Sequence, residues 1–135
     1  MQPGASSEGG RVPDIRVLLV EDEGLIRMMV ADYLSDEGFH VTEARNGDEA
    51  ARLLDSAQGF DVLFTDVRMP GALDGIDVAL QARRKHPGLP LLIVSGYSDQ
   101  LTARLGLLEP AAVFLGKPYQ LAEALTCLKR LIQTP

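Results

Sequence analysis

Five short apolar runs punctuate the chain: Ile15 to Val20, Val41 to Ala44, Val62 to Thr65, Leu91 to Val94 and Ala112 to Leu115. Each is strand-length, and those around Leu18, Leu63 and Ile93 are apolar nearly throughout instead of alternating. A strand covered on both faces needs that unbroken apolarity, so these three are expected inside a parallel sheet. The second run, with His40, Thr42 and Glu43, reads as an edge strand. Between the runs, apolar residues fall at helical spacing: Ile26, Met29, Val30 and Tyr33, then Ala50, Leu53, Leu54 and Ala57, then Ile76, Ala79 and Leu80 with Arg83. A fourth crossover around Leu101 to Leu105 carries the weakest pattern, and Leu121, Leu125, Leu128 and Ile132 make one apolar stripe on a C-terminal helix.

Local punctuation agrees with these elements. Asn46 with Glu49 three residues on predicts a capping box, Asp74 and Ser98 are placed to cap the third and fourth helices, and Gly38 to end the first. Five strands alternating with five helices predict right-handed crossovers and a doubly wound α/β sheet over residues 14–135. Residues 1–13 hold Gly, Pro and Ser with almost nothing apolar, so they gain too little from burial to offset the entropy of ordering. They read as a flexible tail.

Ligands of open α/β sheets bind beyond the carboxyl ends of the strands, which makes the residue after each run informative. The first strand delivers Glu21 and Asp22, the third Asp66, the fourth Ser95, and the fifth is followed closely by Lys117 and Pro118. The second delivers Arg45 and Asn46, ordinary loop residues. The acidic Glu21-Asp22-Glu23 turn would repel a pyrophosphate, which argues against a dinucleotide-binding half. An unshielded carboxylate pair at ~4 Å repels by roughly 4 kcal/mol at an effective dielectric near 20, so a cation is expected among the three acids. Hard oxygens without His or Cys call for Mg²⁺, with Mn²⁺ as a substitute. Ser95 and Lys117 suit the free oxygens of a phosphoryl group carried on Asp66. His40 and His86, on an edge strand and at a helix end, are credible neither as ligands nor as phosphodonors.

Composition narrows the function. The net charge of -6 offers no footprint for nucleic acid or an anionic membrane, and with no Trp there is little for base stacking. Cys127 is the only cysteine, which excludes an internal disulfide and reads as an inert core thiol in a reducing compartment. Neither a signal peptide nor an apolar run near the ~18 residues of a membrane span is present, so a cytoplasmic location is expected.

Val-Leu-Leu-Val-Glu-Asp, Leu-Phe-Thr-Asp-Val-Arg-Met-Pro-Gly, Leu-Ile-Val-Ser-Gly and Phe-Leu-Gly-Lys-Pro, in that order at the strand ends, resemble the receiver domain of bacterial two-component response regulators over Ile15 to Ile132. The resemblance implies a flavodoxin-like fold with strand order 2-1-3-4-5, in which Asp66 accepts phosphate from a histidine kinase or histidine phosphotransfer protein. It implies that Glu21, Asp22, Asp66 and the backbone carbonyl of Arg68 bind Mg²⁺. It further implies that Ser95 and Lys117 contact the phosphoryl group, that Phe114 is the aromatic switch residue, and that the Lys117–Pro118 bond is cis. Ser95-Gly96-Tyr97 is similar to a subgroup found in hybrid kinases and alphaproteobacterial regulators.

Some features depart from the common pattern. The Arg68 side chain is placed to pair with Glu21 or lie beside the metal site, the alternative being a surface pair. Gly96 leaves room near the phosphate, the Pro70 to Gly75 loop is one residue longer than usual, and Leu107 to Pro110 replaces the usual approach to the fifth strand. Because the chain ends at Pro135, just past the last helix, a stand-alone regulator acting through partner binding is expected; the alternative is the receiver of a hybrid histidine kinase. An aspartate-nucleophile phosphohydrolase lacks its second acid, since Val67 and Arg68 follow Asp66, and a flavin module would want a hydroxyl-rich first loop.

Overall fold

The computed structural model describes residues 14–96, 108 and 111–133. Its elements run β1 (Arg16–Val20), α1 (Gly24–Asp36), β2 (His40–Ala44), α2 (Gly47–Asp55), β3 (Val62–Asp66), α3 (Gly75–Lys85), β4 (Leu91–Ser95), β5 (Ala112–Gly116) and the C-terminal helix α4 (Leu121–Gln133). All strands are parallel in the order β2-β1-β3-β4-β5, as expected, with β2 at an edge. Residues 1–13, the fourth crossover with the expected Ser98 cap, Tyr97, and Leu107, Glu109 and Pro110 lie outside the described residues.

Successive strand residues point to opposite faces, so the unbroken apolar runs feed two cores. On one face Leu18, Val20, Leu63 and Ile93 pack with Ala50 and Leu54 of α2 and with Ile76, Ala79 and Ala82 of α3. On the other, Val17, Leu19, Phe64, Leu92 and Val94 meet Val30, Ala31 and Leu34 of α1 and Ala124 and Leu128 of α4. Each fully buried aliphatic side chain contributes about 1.5–3 kcal/mol relative to exposure. This covering on both sides fixes where the strand ends stand.

Several local expectations need correcting. Ile26 and Met29, expected on the buried face of α1, are 38% and 51% exposed, and the buried stripe is Val30, Ala31 and Leu34. The first turns of α1 stand at the carboxyl edge of the sheet, where the strands end and no longer cover them. Ala57 is exposed because α2 ends at Asp55. Asn46 does accept the Glu49 N–H at 2.8 Å, but the Glu49 carboxylate takes the Arg45 N–H at 2.7 Å, so the box is only half formed. The reciprocal box is at α3, where Asp74 and Asp77 exchange bonds of 2.9 and 3.0 Å. Cys127 is half-buried at the margin of the second core, and burial pushes its thiol pKa up. Gly38 follows α1 with φ of +103°, as its expected stop role requires.

The loop from β3 to α3 returns tightly over the strand end: the Gly75 N–H donates to Val67 O at 2.8 Å. A Cβ at Gly75 would lie 1.9 Å from the carbonyl oxygen of Asp66. No side chain fits there without moving the backbone that carries Asp66. Gly75→Ala is therefore expected to lower stability by about 3 kcal/mol, the upper range for forced overpacking, in urea denaturation.

Candidate functional site

Strand register brings the acids together. Val20 of β1 pairs with Thr65 of β3, so Glu21 and Asp66, the next residues, emerge at the same level of the carboxyl edge. Asp66 pairs with Val94, which puts Ser95 one residue further along β4, opposite Gly116 of β5. Lys117 follows, its N–H donating to Ser95 O at 2.9 Å, and the Lys117–Pro118 bond is cis as expected. Carboxylate oxygens of Glu21, Asp22 and Asp66 lie within 4.8 Å of one another. Asp66 is 3% exposed and Glu21 5%.

One cation of the protein already faces this group: Lys117 Nζ donates to Asp66 Oδ2 at 2.5 Å. The second oxygen, Asp66 Oδ1, is buried without a hydrogen-bond partner. Burial raises the Asp66 pKa above its usual 3.8, against the opposing hydrogen bond and charge of Lys117 and the Arg68 main-chain N–H, with Asp22 adding to the rise. Burial also raises Glu21, opposed by the Glu23 N–H that donates to its Oε2 at 3.0 Å, while Asp66 adds a further upward push. Burial disfavours the Lys117 ammonium, yet Asp66, Glu21 and Glu23 outweigh it and hold the pKa above 10.5. Lys117 is therefore a permanent cation, and the acids are destabilised in their charged form. Tyr119 senses the same field: burial, Glu21 and Asp66 push it up to about 12.

This donor set fits a hard divalent cation. Three carboxylates offer oxygen only, one with a buried oxygen left unpartnered, and an ion there would offset the desolvation that raises Glu21 and Asp66.

The remaining candidates occupy more ordinary positions. Ser95 closes β4, half-buried, and Phe114 on β5 is half-buried against the core shared with α2 and α3. The Arg68 side chain is exposed. His40 lies near Asp14 at 3.4 Å and His86 caps α3, both away from the acids. Sequence patterning did not single out Tyr119, whose ring tilts against Phe64 with centroids 6.3 Å apart, or Arg27 of α1. For Arg27 there was a signal: a cation near a helix N-terminus opposes the helix dipole unless something else holds it. A cleft of about 530 Å³, lined by Glu21, Glu23, Ile26, Met29, Lys117, Tyr119 and Leu121, opens beside the acids.

The fold and strand-end cluster define a doubly wound α/β domain with an acidic site at its carboxyl edge. A profile of the response regulator receiver domain matches residues 17–129, and the chain belongs to that family. Receiver domains are signalling domains. The sensor kinase CckA of Brucella abortus is 35% identical over 118 residues, 87% of this chain and 12% of the relative. The DNA-binding transcriptional regulator NtrC of Salmonella typhimurium is 34% identical over 116 residues, 86% of this chain and 24% of the relative. The chain thus spans a minor part of these curated relatives. Among solved structures, a response regulator receiver protein from Sinorhizobium medicae superposes with a TM-score of 0.81 at 29% identity, covering 90% of this chain and 96% of its own. The receiver domain of the hybrid histidine kinase CckA gives 0.74 at 33% identity, covering 87% and 99%. No helix among the described residues is long and apolar enough to cross a membrane.

The raised acids give a pH dependence of definite sign. Between the usual 4.5 of Glu21 and 3.8 of Asp66 and their higher folded values, the native state binds protons that the unfolded state does not. Their contribution to stability therefore grows as pH falls through that window and is lost above it. Urea denaturation of metal-free protein should show this gain on acidification, and a Glu21→Gln/Asp66→Asn variant should lack it.

Proposed function

We propose that the chain takes a phosphoryl group onto Asp66 from a phosphohistidine of a histidine kinase or histidine phosphotransfer protein. The carrying observation is the placement of the Asp66 carboxylate: buried, with its charged form disfavoured by burial, one oxygen held by Lys117 and the other without a partner. A carboxylate oxygen of Asp66 attacks phosphorus, the N–P bond breaks with its electron pair returning to the imidazole, and a mixed anhydride remains on Asp66. Lys117 turns its ammonium from Asp66 to hydrogen-bond a phosphoryl oxygen, since its Asp66 partner has lost charge. Ser95 donates to another phosphoryl oxygen. Mg²⁺, held by Glu21, Asp22, Asp66 and the main-chain oxygen of Arg68, would supply charge neutralisation for the incoming phosphate, with Mn²⁺ as a substitute.

Phosphorylation adds about two negative charges at the carboxyl edge. Ser95 follows the phosphate, and Phe114, adjoining Ile93 across β4 and β5, repacks between two arrangements that favour different protein partners. The same chemistry operates whether the receiver stands alone in the cytoplasm, as expected, or is carried by a hybrid kinase. A phosphohydrolase is the poorer reading, because Val67 and exposed Arg68 follow Asp66 where a second acid would be needed.

Incubation with acetyl phosphate and Mg²⁺, followed by intact mass measurement, tests the reading. Wild type should gain one phosphoryl group and Asp66→Asn none; labelling of the variant would show that the acceptor lies elsewhere.

A further inference from the structure

We propose that Arg27 is a positioning residue for the acidic pair, fixing the main chain of Glu21 and so the presentation of the Glu21 and Asp22 carboxylates to a divalent cation. The inference rests on the metal-binding reading above. Both acids sit in the three-residue connection between β1 and α1, which no bulky core side chain holds down. Arg27 reaches back over it from α1: Nη1 donates to the main-chain oxygen of Glu21 at 2.9 Å, and Nε donates to Glu43 Oε1 of β2 at 3.1 Å. Its side chain is only 17% exposed, well tied for an arginine. The Glu21 N–H is held as well, donating to Ala44 O at 3.1 Å, and the Arg27 N–H donates to Glu23 O at 2.9 Å. The peptide of Glu21 is therefore pinned to β2 on both sides, directly through its N–H and through Arg27 and Glu43 at its carbonyl.

The geometry needs a guanidinium. Its planar fork makes two diverging bonds at once, whereas a lysine ammonium on a flexible stem reproduces at most one without rearrangement. Electrostatics alone would not explain the residue, because an unpaired cation beside a metal site would repel the ion. Glu43 pairs with Arg27 at 3.1 Å and offsets its charge, so the contribution assigned to Arg27 is orientation. Loss of a partner that orients a ligand in this way typically costs about 10–100-fold in metal affinity.

The test is Mn²⁺ affinity, read from the electron paramagnetic resonance of free ion, for the wild-type chain, Arg27→Ala, Arg27→Lys and Glu43→Ala at two ionic strengths. Urea denaturation without metal runs in parallel. Arg27→Ala should weaken Mn²⁺ binding by about tenfold at both salt concentrations, the lower end for loss of an orienting partner. Arg27→Lys and Glu43→Ala should weaken it less. Unchanged or tighter binding in Arg27→Ala overturns the proposal, as does a weakening that disappears at high salt, which is the mark of a charge effect. A fall in stability with unchanged affinity likewise assigns Arg27 a structural role only. Should Arg27→Ala fail to fold, Arg27→Lys, which keeps the charge and its Glu43 partner, decides on the same criteria. Wild type that binds no Mn²⁺ rejects both this inference and the reading beneath it, whereas normal binding by all variants rejects this inference alone.

Discussion

Asp66 is a carboxylate placed where a carboxylate is costly, at the end of a strand covered on both faces and level with a second buried acid just past the end of the neighbouring strand. Two like charges separated by about 5 Å repel by roughly 3 kcal/mol at an effective dielectric near 20, before the desolvation of each is counted. Lys117 relieves part of this by bonding one oxygen, and the other oxygen is left without a protein partner. The site is thus short of positive charge by design of the fold, and on the proposed reading an affinity for a divalent cation and a reactivity toward a phosphoryl donor would have the same origin.

The scaffold serves that placement. Two cores clamp the sheet, so β1, β3, β4 and β5 end in register and present Glu21, Asp66, Ser95 and Lys117 at one edge. The β3–α3 loop closes so tightly on the Asp66 carbonyl that only glycine fits at position 75. The reciprocal cap of Asp74 and Asp77 then starts α3 immediately after it. Such rigidity around a destabilised carboxylate follows the general pattern in which functional sites are stabilised by their surroundings rather than by themselves.

Much of this was legible in the sequence because it depends on period and order. Unbroken apolar runs around Leu18, Leu63 and Ile93 indicated a doubly covered sheet, and reading the residue after each run located the three acids and Lys117. The errors concern tertiary context. Periodicity placed Ile26 and Met29 in the core, but it cannot tell where a helix overhangs the sheet edge. Glu49 had the spacing of a capping box but found a better partner in the Arg45 N–H. Arg27 was passed over because its partners, the Glu21 carbonyl and Glu43, come together only when α1 folds back against β2.

The central claim is that burial beside Glu21 and Asp22 holds the Asp66 carboxylate in a destabilised charged form that a divalent cation relieves. Carbon-13 NMR titration of the Asp66 side-chain carboxyl, with and without saturating Mg²⁺, measures this directly. The account predicts an acidity midpoint above the usual 3.8 in metal-free protein and a clear downward shift when Mg²⁺ is present. An ordinary midpoint in metal-free protein, or one that Mg²⁺ leaves unmoved, would contradict it.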